Sequence, residues 1–466
     1  MGEGSEPISQ SSAFRAQSAM ATPAARIAQV VVIALVVASY VFNAFNLQPY
    51  RYSHLNPEYN HNGFANYWGG KGYSPVLRAE TFQLDSDLMV ILKVNRSRDA
   101  SIWENAGLLP GGGDRRTAYP SGAALEGIWL AAAYRFSHAP LINFLNDVAR
   151  PAYGTLEAVV VLLLLFCLLR EMNAGPVATL AAGLLTALCD WPVFFARNLT
   201  FVGFLLFLPM LLGWILPRYG GAHRKAIFLL ICITCMLRSL CGYDYMTSVI
   251  MSATVGSVYY GLCEGQNWRK LASTMAQIVC AGMSGLCAAI AIHLYQLSQY
   301  AGSFASALQL IHSRAVVRIS PFAGAAKNQA IWPVVKNAVI GYLTVSTIQI
   351  PIGSHRLYVP LGLLVLVQLL VLAVHLVRLW KRKPMTHATA AVLTSAWALL
   401  GSLSWAVVFP GHMTPHVHFD PILFYIPWIP TLLFALGLSV AGDALCAPSA
   451  KIAAARPIPV CAGSMK

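Results

Sequence analysis

The apolar residues of this chain come in blocks of about 20, the length of an α-helix that crosses the hydrocarbon of a bilayer. No other feature constrains the fold as tightly. Composition agrees: 57% of the 466 residues are hydrophobic and 11% are charged, where a soluble domain carries about 25% charged residues. That deficit excludes a soluble enzyme of ordinary composition, a disordered protein and a disulfide scaffold. The blocks define an all-α, polytopic membrane protein.

The polar first 26 residues read as a tail. Arg26 then precedes an apolar run over 27–42. No good cleavage site follows it, so it reads as a retained first helix and not as a signal peptide. Further spans fit 156–169, 177–189, 201–216, 226–236, 247–262, 275–294, 357–377, 388–409 and 422–440, about ten in all. Formal net charge is +14, and its placement matters more than its size. With the N-terminus inside, the short inner loops hold Arg170, Arg218, Arg224, Lys225, Arg269, Lys270, Arg378, Lys381, Arg382 and Lys383. The short outer loops hold Arg197 and Arg238. The positive-inside rule selects this orientation. Both termini are then cytoplasmic, the last being the tail 443–466, and the membrane domain covers 27–442. The basic charge sets topology, so nucleic acid is not the expected partner.

Most of the ten Cys sit in or beside apolar blocks. The one CxxC, Cys232 to Cys235, lies inside a span. Redox or zinc chemistry there lacks solvent and a second ligand pair, so it reads as packing.

Two long loops fall outside, about 43–154 and 295–356. The first contains LMVILKV and ALEGIWLAAAYRF, too short to span and suited to interfacial helices. The second contains AGSFASALQLIHSRAVVRI at helical spacing, then IWPVVKNAVIGYLTVSTI. The last run reads as an eleventh, re-entrant or interfacial segment. No internal repeat is visible, which weakens a transporter built from inverted halves.

Ionisable residues near a membrane are costly and mark function. One cluster, CDWPVFFARNLTF, holds Asp190, Trp191, Arg197 and Asn198. A second, LRSLCGYDY, holds Arg238, Tyr243, Asp244 and Tyr245. A third, SWAVVFPGHMTPHVHFD, holds His412, His416, His418 and Asp420. The first long loop is the fourth. All fall on the outer face, which suggests an outward-opening site. Each has a plainer reading. Arg197 caps a helix or pairs with Asp190. Arg238 and Asp244 form an ion pair across a turn. The Tyr and Trp residues belong to an interfacial belt. The three His have metal-like letters, but Pro410, Gly411 and Pro415 remove the helical frame. Hydrogen bonding to a headgroup or sugar, or a structural role, suits them better.

The phrases ARNLTFVGFLLFLPMLLGW, LRSLCGYDYMTSVIM and SWAVVFPGHMTPHVHFDPILFYIPW resemble those of polytopic bacterial membrane proteins of cell-surface polysaccharide type. Their architecture resembles the GT-C class of integral membrane glycosyltransferases. The likeness of TAYPSGAALEGIWLA to a YxSQxGLQG pattern rests on Tyr119, Ser121, Leu125 and Gly127, without either Gln. Asp244 stands where that resemblance expects Glu. The resemblance implies a GT-C-like fold with interfacial helices in the large first loop. It implies a polyprenyl-phosphate-linked sugar as donor and a glycan or lipid as acceptor, at the outer face of a bacterial cytoplasmic membrane.

Such a reaction needs a carboxylate to take the acceptor's proton and a cation for the leaving phosphate, which Arg meets with bidentate contacts. Candidate bases are Glu58, Glu80, Asp85, Asp87, Asp99 and Glu104 in the first loop, with Asp244 and Asp420 elsewhere. Glu58 has the location the resemblance favours. Asp85 and Asp87 share a side if extended and diverge in a helix. Arg197 and Arg238 are the phosphate ligands, with Asn198, Tyr243, Asp244, Tyr245, His412, His416 and His418 around the substrate. No cofactor is called for, and a divalent cation is compatible. The alternatives are an O-antigen polymerase or ligase-like enzyme, a lipid-linked glycan transporter or flippase, and a non-enzymatic scaffold. The transporter needs polar residues in both halves of the membrane, and the inner halves read as nearly bare.

Overall fold

The computed structural model describes residues 22–45, 47, 123, 125–134, 136–137, 144–197, 199, 201–319, 331–352, 355–409 and 420–441. It is mostly helical. Helix α1 (Pro23–Phe42) opens on Thr22, whose side chain accepts from the Ala25 amide, and closes on Asn43 in the left-handed conformation. Asn at that position satisfies a helix end that only Gly or Asn reaches easily. From the first long loop comes α2 (Leu125–Tyr134), within the run expected to be helical. A π-helical turn (Phe144–Ala149) leads into α3 (Arg150–Glu171). Then follow α4 (Pro176–Ala187), the short α5 (Asp190–Ala196) and α6 (Phe204–Cys241). Next are α7 (Met246–Ser252), α8 (Val255–Cys263), α9 (Trp268–Ala301), α10 (Phe304–Ile319) and α11 (Ile331–Thr344).

Among the described residues, seven helical stretches are long and apolar enough to cross a membrane, and Pro176–Ala187 and Phe204–Arg218 are shorter apolar helices. The chain is therefore a multi-pass membrane protein by length and composition.

Helix α6 is continuous in backbone but not straight. Gly213 packs on Ala253, while Cys235 lies beside Gly282, which packs on Ile250. Ile250 and Ala253 are one turn apart, so Gly213 and Cys235 lie at similar depth. A straight helix would separate them by about 33 Å. The helix folds back in the stretch holding Pro217, Gly220 and Gly221, where Pro interrupts the hydrogen-bond ladder. The predicted spans 201–216 and 226–236 are its two arms. The first arm touches its neighbour backbone to backbone. A Cβ at Gly213 would lie 1.9 Å from the Ala253 carbonyl oxygen, and one at Gly256 would lie 2.5 Å from that of Gly213. Small residues allow this approach, which drives helix association where lipid removes the hydrophobic advantage.

The second long loop departs from expectation. Helix α11 has 14 residues and is about 21 Å long, short of a span. The rest of that apolar run becomes β1 (Ser346–Ile352), paired antiparallel with β2 (His355–Pro360). Ser-Thr-Ile-Gln-Ile is β-branched and alternates, which a strand accommodates better than a helix. The fold is mostly helical, as expected, with one hairpin that the sequence reading did not foresee. Pro360, extended at φ −73° and ψ 147°, ends β2 and precedes α12 (Leu361–Trp380), the backbone that an N-cap residue favours. The span expected over 357–377 therefore starts later. Helix α13 (His387–Val408) begins at Thr386, whose side chain accepts from the Thr389 amide. A 3₁₀ turn (Asp420–Tyr425) and α14 (Trp428–Ala441) complete the order.

The helices run between two ends. At one end Ser39 donates to the Ala187 carbonyl at 2.6 Å, Gly154 meets the Tyr40 carbonyl, and Cys189 bridges to Ile348 of β1. At the opposite end Arg218 meets Glu171 and Tyr259 meets His387.

Candidate functional site

Two buried ionisable clusters share the hairpin end. The first surrounds Arg238, near the C-terminus of the second arm of α6 and 1% exposed. Its Nη1 donates to the Gly242 carbonyl at 3.0 Å and its Nη2 to the Asp244 carbonyl at 3.2 Å. A helix C-terminus, with its surplus carbonyls and negative dipole end, suits a cation. The expected Arg238–Asp244 ion pair is thereby corrected: both hydrogen bonds go to main-chain oxygens of the turn. A short turn presents its carbonyls to the preceding helix end more readily than its side chains. Nε of Arg238 has no hydrogen-bond partner among the described residues. A buried guanidinium donor left without an acceptor is costly.

The same turn positions a histidine. The Tyr243 hydroxyl is 3.0 Å from Nδ1 of His293 on α9. His293 is 2% exposed, and its Nε2 has no partner among the described residues. Cys241 lies against Glu126 of α2 and within electrostatic reach of Arg238. Ala123, Leu240 and Ala289 pack together, which brings the start of α2, the end of α6 and the turn of α9 before His293 side by side. Tyr245, left-handed at φ 69°, lies between Phe201 and Trp405. The turn therefore gathers Glu126, Arg238 and His293 from three elements.

The second cluster surrounds Asp190, fully buried at the first position of α5. Its Oδ1 accepts from the Trp191 amide at 2.8 Å and from the Tyr425 hydroxyl at 3.1 Å. Its Oδ2 accepts from Gln349 Nε2 at 2.9 Å. Behind Gln349, Arg356 Nη1 donates to Oε1 at 3.0 Å. The Tyr425 hydroxyl also contacts the Thr347 carbonyl, and Trp191 Nε1 donates to the Ser346 carbonyl at 3.0 Å. Burial pushes the Asp190 carboxyl up to about 7, against the lowering effect of the hydrogen bonds with Gln349, Ser346, Tyr425 and Trp191. The expected Arg197–Asp190 pair is corrected as well. Asp190 takes its hydrogen bonds from Trp191, Gln349 and Tyr425, and Arg197 caps the far end of α5, half-buried.

An interfacial belt does not describe these aromatics: Trp191, Tyr245 and Trp405 are buried. Glu58, Asp85, Asp87, Asn198, His412, His416 and His418 lie outside the described residues. Among the described residues no three His, Cys, Asp or Glu side chains converge as a metal would need. Cys232 and Cys235 are free thiols.

Sequence reasoning missed Glu126, Glu157, His293, Gln349, Arg356 and Tyr425 as site residues. Glu126, Glu157 and His293 each interrupt an apolar helical run, a signal the sequence did carry. Glu157 is fully buried on α3, with neither carboxylate oxygen hydrogen-bonded among the described residues. A Cβ at Gly203 would lie 1.8 Å from its Oε2, so only glycine leaves that side chain room. At the opposite end Glu171 pairs with Arg218, which lies over the Tyr260 ring at 5.6 Å. There His387 Nδ1 is 3.1 Å from the Tyr259 hydroxyl and 3.4 Å from Cys263 Sγ.

The fold and these clusters define a multi-pass helical membrane protein with buried ionisable groups at the hairpin end. No family model matches the chain, and neither a curated protein nor a solved structure is similar to it.

Proposed function

We propose that the chain is a membrane-embedded glycosyltransferase of GT-C-like architecture. It moves a sugar from a polyprenyl-phosphate donor to a cell-surface glycan or lipid. In this reading ten helical passes cross a bacterial cytoplasmic membrane, both termini are cytoplasmic, and the hairpin end faces the periplasm.

Arg238 carries the reading. A guanidinium 1% exposed, anchored on two carbonyls and with Nε unpartnered among the described residues, is a preorganised cation for a phosphate. The departing lipid phosphate would rest on it, with Arg197, Asn198, His412, His416 and His418 as the further substrate contacts that the sequence suggests. The acceptor's proton would go to a carboxylate of the first loop: Glu58, Asp85 or Asp87, or Glu126, which lies beside Cys241. Any divalent cation would join through those carboxylates.

The test is transfer by the full chain in nanodiscs, given polyprenyl-phosphate-linked sugars and candidate acceptors. Transfer by the wild type, lost in a folded Arg238→Ala variant, is the expected result. Failure of the wild type to transfer any of the sugars, together with unchanged binding of polyprenyl phosphate by Arg238→Ala, would sink the reading.

A second reading is a transporter or flippase for the lipid-linked glycan. Glu157 inside α3 and the polar cluster around His387 favour it, because intramembrane ionisable residues mark paths as well as sites. Proteoliposomes separate the two: movement of a labelled lipid-linked sugar between leaflets, with no sugar transfer, selects the second.

A further inference from the structure

The hydrogen bonds around Tyr425 do not balance if Asp190 is ionised. A tyrosine hydroxyl has one proton to donate. Tyr425 contacts two acceptors, the Thr347 carbonyl and Asp190 Oδ1. With a carboxylate at 190, one of those contacts sets lone pair against lone pair in a buried site. With a proton on Asp190, the set closes. Asp190 donates to Tyr425, Tyr425 donates to Thr347, and Oδ2 still accepts from Gln349.

The surroundings agree. Every hydrogen-bond partner of Asp190 is neutral: a tyrosine, a serine hydroxyl, an amide side chain and a main-chain amide. The titratable groups around it offer it no direct ion pair. They are Cys189 beside it, Tyr425 on the 3₁₀ turn, Tyr40 on α1 and Glu157 on α3. Arg356 on β2 is one side chain removed, behind Gln349, and Arg197 is at the far end of α5. A buried carboxyl without a cation resists ionisation, in line with a value near 7 here.

The contacts of Asp190 also join separate parts of the chain. Gln349 belongs to β1, and Tyr425 to the turn before α14. Both meet α5 through this one carboxyl, and Trp191 next to it holds the Ser346 carbonyl.

We propose that Asp190 is a proton-binding latch. It holds a proton while the β1–β2 hairpin is docked on α5 and on the 3₁₀ turn, and loss of that proton loosens the hairpin. This inference does not depend on the glycosyltransferase reading.

The pH window follows from linkage. An undocked Asp190 titrates near its ordinary value of 3.8, and the docked one near 7. Docking is thus strongest at low pH, weakens by about tenfold per pH unit between about 4 and 7, and levels off above. The experiment is hydrogen exchange of the hairpin amides in the full chain in nanodiscs, corrected for intrinsic exchange. Wild-type protection should fall across that window, and Asp190→Asn, a permanently neutral mimic of the protonated acid, should hold it flat. Protection that ignores pH in the wild type, or an equal fall in Asp190→Asn, overturns the proposal. Should that variant fail to fold, difference infrared spectra of wild type with isotope-labelled Asp decide. A carboxylic-acid carbonyl band that vanishes as pH rises through about 7 supports the latch. Carboxylate bands alone throughout overturn it.

Discussion

Arg238 and Asp190 are both buried, both charged in name, and both at the hairpin end, yet their surroundings differ in kind. Asp190 is enclosed by donors that use both of its oxygens. Arg238 is anchored through two nitrogens, and its third is left without a partner among the described residues. A completed hydrogen-bond set is what a structural role needs, because unsatisfied buried polar groups cost stability. An uncompleted set is tolerated where a ligand completes it. On the proposed reading, the contrast gives architecture to one residue and binding to the other.

Replacing Arg238 should give the largest effect, and an effect on chemistry. If the chain transfers sugar as proposed, Arg238→Ala is expected to lower that transfer by about 10²–10³-fold, the scale for losing one preorganised charge-stabilising group. Arg238→Lys keeps the charge but loses the forked geometry, and should recover only part of it. Size-exclusion and thermal-melt measurements should show both variants folded. If Arg238→Ala instead melts as badly as variants of Asp190, the two residues play the same structural role and the comparison is broken.

Replacing Asp190 should act on stability first. Asp190→Ala strands Gln349 Nε2 and the Trp191 amide, at a cost of about 2–3 kcal/mol. The pH dependence sharpens the point. The folded carboxyl is held above its ordinary value, so its contribution is fully present below about pH 4 and is lost as pH rises through about 7. Melting of the wild type should fall across that window, and that of Asp190→Asn should not. A wild type whose melting rises with pH there would mean an ionised, ion-paired Asp190. Tyr425→Phe should cost less, about 1 kcal/mol, with thermal melting as the readout.

The difference between the two clusters explains what the sequence made legible. Periodicity and length gave the helices, because a membrane span must satisfy its backbone internally and show an apolar surface. The two arms of α6 were visible as separate apolar runs. The hairpin was not, because Ser346–Ile352 continues an apolar stretch and helix and strand look alike in short apolar runs. Arg238 stood out as a cation ending an apolar helix. Its true partners did not, since main-chain carbonyls carry no letter in the sequence. Asp190 stood out too, but its partners Gln349 and Tyr425 are more than 150 residues away in the chain. Of the two readings for Arg197, the helix cap holds and the pair with Asp190 does not. His293 and Glu126 each stand as a lone polar letter in an apolar helical run, and their neighbours are distant in the chain.

The smallest expected effect tests how far the Asp190 cluster extends. Arg356 touches Asp190 only through Gln349, whose Oε1 it holds at 3.0 Å. That contact fixes which way the Gln349 amide points, since its Oε1 must face the guanidinium for its Nε2 to face Asp190. Arg356 is itself half-exposed, so water can replace part of what its guanidinium does. Arg356→Met, which keeps most of the stem and removes the charge, should lower stability by about 0.5–1 kcal/mol and leave sugar transfer unchanged. Gln349→Glu in the same background is the more searching change. It exchanges the donor facing Asp190 for an acceptor, and two facing carboxyls can share one proton but cannot both ionise. The loss of melting temperature in that double variant should therefore grow as pH rises. A loss that is the same at all pH values would mean that Gln349 positions the hairpin by its bulk alone, and that the hydrogen-bonded chain from Arg356 to Asp190 has no energetic continuity.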